Sequence, residues 1–101
     1  MKISFVEFDK RAREEWAGRT YCYDSNNQNV AGFDMVTVRV KFDKVCTMMN
    51  PNCATFRNKS GDMMSLSRIR YVDVEDSFGT SKQITFEIDH AGSGPVSMIL
   101  R

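Results

Sequence analysis

Along the first twenty residues, apolar side chains recur at helical spacing. Phe5, Phe8, Ala12 and Trp16 stand at offsets 0, 3, 7 and 11, which is one face of a helix. Ser4 and Glu7 have capping-box spacing, in which the hydroxyl bonds the N3 amide and the carboxylate reaches back to the N-cap amide. Glu7/Arg11, Lys10/Glu14 and Arg11/Glu15 are opposite charges four residues apart, each pair worth roughly a few tenths of a kcal/mol. Gly18 suits the left-handed position that ends a helix. These signals predict a helical segment over residues 1–18. The competing reading is a strand over 2–8 with a shorter helix from Asp9.

From residue 19 the period changes to two. Residues 20–23 make a short strand ahead of the polar stretch Ser25-Asn26-Asn27-Gln28-Asn29, read as a loop. Val36, Val38, Val40 and Phe42 alternate with Thr37, Arg39, Lys41 and Asp43, the clearest strand in the chain. Residues 45–49 extend it or begin the next strand. Asn50-Pro51-Asn52 is a turn, since proline fixes φ and asparagine tolerates left-handed geometry. Residues 53–58 form another strand, and 59–62 turn again. Leu66, Ile69 and Val72 are three apart, which one regular strand cannot hold on a single face. The spacing predicts a strand through Leu66, a helical turn over 67–70 and a new strand over 71–75. Residues 76–81 are a loop. Residues 83–89 follow with Ile84, Phe86 and Ile88 inward. After the break Gly92-Ser93-Gly94-Pro95 comes a last edge strand over 96–100.

The expected architecture is α+β in a single domain over 1–101: the N-terminal helix packed on a curled antiparallel meander of about six short strands over 19–101. An SH3-like or PH-like roll, or a small open barrel, is the nearest architectural comparison and carries no function by itself. A chain of 101 residues suits one core, because two would leave about fifty residues each. Apolar residues at 42% and charged residues at 27% argue against disorder. The apolar runs are too short for a transmembrane helix, so no membrane partner is expected. Glu7 and Asp9 interrupt the N-terminal apolar run, so no secretory signal is read and a cytoplasmic location is expected.

Charge narrows the function further. Fourteen basic and thirteen acidic residues leave +1, and neither half of the chain is biased. Such a balance gives no bulk attraction to nucleic acid. The basic groups Arg39, Lys41, Arg57, Arg68 and Arg70 can still line up beside Tyr71 if their strands are neighbours. That stripe would serve a single-stranded nucleic-acid binder.

Catalytic chemistry has few candidates. His90 is the one histidine, next to a flexible break, and no nucleophile–base pair is marked by local sequence. The odd count of cysteines, Cys22, Cys46 and Cys53, cannot all pair within one chain, and Cys46 and Cys53 read as small buried hydrophobes. A zinc or thiol protein built from these three and His90 is the alternative. The acidic pairs Asp73/Glu75 and Glu87/Asp89 fit the solvent face of half-buried strands. Gly92-Ser93-Gly94-Pro95 lacks the Lys-Ser/Thr of a phosphate loop. No cofactor and no metal are expected.

Seven methionines include the adjacent pairs Met48-Met49 and Met63-Met64. In an alternating strand one member of each pair faces away from the core. Adaptable methionine is common at protein-binding surfaces and also as core filler. The sequence is therefore read as a non-enzymatic protein-interaction module that binds a partner protein or itself. Met48, Met63, the five basic residues and Tyr71 are the candidate contacts. Its size suits an inhibitor or adaptor of the kind carried by a phage or mobile element.

Overall fold

Ser4 sets the first helix in the way its spacing predicts. Its backbone is extended (φ −71°, ψ 163°) and its Oγ accepts the Glu7 amide at 3.1 Å. The Glu7 carboxylate does not reach back. It takes Arg11 Nε at 3.0 Å instead, so half of the capping box forms. The computed structural model describes residues 1–28, 35–89 and 94–101. In chain order its elements are β1 (Lys2–Ile3), α1 (Phe5–Arg13), β2 (Tyr21–Gln28), β3 (Met35–Phe42), β4 (Lys44–Met48), β5 (Cys53–Arg57), β6 (Met63–Leu66), β7 (Ile69–Asp76), β8 (Lys82–Ile88) and β9 (Val96–Leu100).

Neither reading of the N-terminus holds whole. Lys2 and Ile3 pair with Asp73 and Val72 as a two-residue strand, and the helix follows from Phe5. It also ends earlier than expected, at Arg13. The Trp16 amide then reaches back to the Arg11 carbonyl at 2.8 Å in a wider turn, which carries Trp16 into the core. Gly18 does take a left-handed conformation, φ 79°, but in the turn beyond this.

The molecule is α+β: the described residues form one short helix with two antiparallel sheets. One sheet has six strands in the order β1-β7-β8-β9-β2-β3, and the other has three in the order β4-β5-β6. Among the described residues nine strands in two sheets thus replace the expected meander of about six. The division occurs at Asp43, whose amide bonds the Arg57 carbonyl at 3.1 Å. The chain leaves β3 in one sheet and enters β4 in the other at that point.

Three further expectations are corrected. Ser25 to Gln28 are strand, paired residue by residue with Met35 to Val38; the hairpin partner overrides their weak strand preference. Asn29 lies outside the described residues. No helical turn spans 67–70. A single left-handed residue, Arg68 (φ 56°), separates β6 from β7, and a bulge follows between Ile69 and Tyr71. The bulge puts Ile69 and Val72 on the same buried face, which explains the spacing of three. Finally, β9 is no edge strand. It lies between β8 and β2, in the interior of the larger sheet.

Both sheets turn alternate residues inward. From the larger sheet come Val72, Val74, Ile84, Phe86, Met98, Leu100, Tyr21 and Phe42, and from the smaller come Ala54 and Phe56, all buried. Phe56 packs against Tyr21, Phe42 and Phe86 with ring centroids 5.3, 5.9 and 5.7 Å away. Phe8 of the helix meets Phe86 edge-on at 5.1 Å and Trp16 at 6.1 Å. Helix and small sheet therefore cover the same face of the large sheet, and Phe86 touches both. The predicted helical face Phe5, Phe8, Ala12 and Trp16 is buried throughout.

Candidate binding site

The end of β6 borders a cleft of about 520 Å³ lined by Ser65, Leu66, Ser67, Arg68, Ile88, Gly94 and Val96. Its floor is apolar. Leu66, Ile88 and Val96 are half-buried and pack against the core. Its rim carries two hydroxyls and one guanidinium. On β6, Ser65 points to the outer face of the small sheet and Leu66 to the inner face, since Ser65 pairs with Thr55 and Leu66 with buried Ala54. A cleft that touches both faces of one strand runs along that strand's edge. β6 is the last strand of its sheet, so among the described residues this edge keeps unpaired backbone donors and acceptors.

The turn that carries Arg68 is held from both sides. The Asp89 amide donates to the Arg68 carbonyl at 2.8 Å. The Ile69 amide donates to the Asn52 carbonyl at 3.1 Å, and Asn52 Nδ2 donates to the Ile69 carbonyl at 3.0 Å. A left-handed non-glycine residue is costly unless its surroundings fix it, and these bonds do so. Arg68 is exposed and forms no ion pair among the described residues.

The outer face of the small sheet is a second distinct surface. Its rows are Lys44–Arg57–Met63, Cys46–Thr55–Ser65 and Met48–Cys53. Met48 and Met63 are 64% and 62% exposed, while Met64 turns inward against the core, as alternation requires. No carboxylate stands among these positions. Cys46 is exposed and Cys53 is half-buried, so the reading of both as buried hydrophobes is corrected. The parity of β4 puts Val45 and Thr47 inward and Cys46 outward.

The expected nucleic-acid stripe is not assembled. Arg39 and Lys41 lie on β3 at one edge of the large sheet, and Tyr71 lies on β7, four strand spacings or roughly 19 Å away. Arg57 belongs to the other sheet, and Arg70 sits at the bulge. Lys2 Nζ already covers the Tyr71 ring at 4.7 Å from its centroid. Asp24 faces Arg39 at 3.9 Å, and Asp73 Oδ1 takes the N-terminal ammonium at 3.0 Å. These groups therefore do not line up as one stripe beside Tyr71.

Among the described residues the four-ligand grouping is not brought together. Cys22 lies on the outer face of β2, in the other sheet from Cys46 and Cys53, and His90 lies outside the described residues. Among the described residues no group of three His, Cys, Asp or Glu side chains is placed to hold a metal ion. Sequence reasoning found Arg68 and Met63 but not Leu66, Ile88 and Val96 as one surface. It also missed Phe78, 93% exposed at the tip between β7 and β8. No helix among the described residues is long and apolar enough to cross a membrane.

Compared with known protein families, with curated proteins and with solved structures, the chain matches none of them.

Proposed function

We propose that this protein is a non-enzymatic interaction module that binds an extended segment of a partner protein along the free edge of β6. The observation that carries the reading is the cleft bordering that edge. Strand addition draws affinity from backbone hydrogen bonds and specificity from side-chain pockets. Here Leu66, Ile88 and Val96 accept an apolar side chain, and Arg68 favours an acidic group beside it. Met63, at the start of β6, supplies an adaptable contact. A second copy of this chain offering its own edge is one such partner. A module of this kind acts as an inhibitor or adaptor by occupying its partner's surface. The comparison with an SH3-like or PH-like roll belongs to this reading, as an analogy of architecture.

The test is affinity capture at physiological salt, with the protein immobilised, alongside its mass by light scattering. A partner retained by the parent protein should fall at least tenfold on both Met63→Glu and Arg68→Glu beads. Both positions are exposed, so circular dichroism should be unchanged. A monomeric mass with no captured partner, or capture indifferent to both substitutions, would sink the reading.

A further inference from the structure

Three sulfur-bearing side chains share the outer face of the β4–β5 hairpin. Met48 and Cys53 are directly opposed in the register, and Cys46 is two residues from Met48 on the same face. Opposed residues hold their Cβ atoms roughly 4.5–5.5 Å apart, and diagonal ones stand roughly 7–8 Å apart. Cys46 and Cys53 are diagonal, because Cys46 opposes Thr55. That separation is beyond the roughly 4.4–6.8 Å between Cα atoms that a disulfide spans. Both thiols are free. A metal ion between two sulfurs adds two bonds of about 2.3 Å and bridges what a disulfide cannot. The neighbouring hydroxyl is engaged elsewhere, since Thr55 Oγ1 and Ser65 Oγ share a hydrogen bond of 3.0 Å.

We propose that Cys46, Met48 and Cys53 form a surface site for a soft monovalent metal ion, Cu(I). Thiolate and thioether donors select Cu(I), whereas structural zinc takes four ligands, commonly with imidazole or further thiolates. Cys46 and Cys53 each release a proton to solvent on binding, and the ion keeps its oxidation state. Lys44 and Arg57, on the next rows of the same face, offset the negative charge of two thiolates on one monovalent ion. The site is independent of the β6 edge and stands whether or not that edge binds a peptide.

The experiment is an anaerobic titration of the reduced protein against the Cu(I)–bicinchoninate complex. One Cu(I) per chain should pass to the protein, with a near-ultraviolet thiolate-to-copper absorption. Cys46→Ser and Cys53→Ser should each abolish the transfer, and Met48→Leu should weaken it at least tenfold. Cys22→Ser should leave it intact, because Cys22 lies in the other sheet. Circular dichroism on every variant establishes that the fold is kept. Copper left on bicinchoninate, unchanged affinity in Met48→Leu, or an equal loss in Cys22→Ser would overturn the site.

Discussion

Tyr21 Oη and Trp16 Nε1 are buried with no hydrogen-bond partner among the described residues. Their rings are worth burying, because each fills the aromatic core, but the polar atoms lose water without replacement. Tyr21→Phe removes only the hydroxyl and leaves its neighbours unchanged. Its stability should rise by about 1 kcal/mol in urea unfolding. The same burial pushes the Tyr21 hydroxyl up to about 12 from its ordinary 10, against the opposing charge of Arg19. The folded state then holds this proton more tightly than the unfolded state. Stability from this residue is unaffected below pH 10 and falls as the pH rises from about 10 to 12, by up to about 3 kcal/mol. Tyr21→Phe should flatten that alkaline fall, and a fall of unchanged size in the variant would contradict the assignment.

Single elements are legible in the sequence where their signals are local. The helix is one such case: its cap and its apolar face lie within a few turns, and Ser4, Phe5, Phe8 and Ala12 behave as their spacing requires, while Trp16 reaches the core from the turn beyond. Ser4→Ala should lower stability by about 1 kcal/mol, read as a lower midpoint in chemical denaturation, because the Glu7 amide loses its acceptor. The bulge at Ile69–Tyr71 was less legible, because an interval of three between apolar residues is shared by a helical turn and a bulged strand. Arg68 in the left-handed region and the Asn52 bonds decide for the bulge, and neither is visible in local periodicity. Ser25 to Gln28 are likewise strand only because β3 lies beside them. The parity of Cys46 was misread for a related reason. Val45 and Cys46 are both apolar, and only Phe56 opposite Val45 fixes which of the two faces inward.

At the scale of the molecule, the cleft beside β6 was illegible because it has no sequence neighbourhood. Leu66, Ile88 and Val96 come from three strands that only the tertiary fold brings together. Phe56 is the corresponding feature of the core, since one ring joins the small sheet to Tyr21, Phe42 and Phe86 of the large one. Phe56→Ala should destabilise by about 3–5 kcal/mol. Hydrogen exchange should accelerate first in β4, β5 and β6, which lose their main anchor; uniform acceleration would show that the two sheets open as one. The interior position of β9 has a consequence in time. The β7–β8–β9 run and the β2–β3 pair can each zip from nearby residues, yet among the described residues they are joined through the pairing of Tyr21 with Leu100 and Cys22 with Ile99, from opposite ends of the chain. Closing that span carries an entropic penalty before any contact rewards it. Docking of β9 on β2 is thereby the costly closure, and without it two half-sheets are left with raw edges.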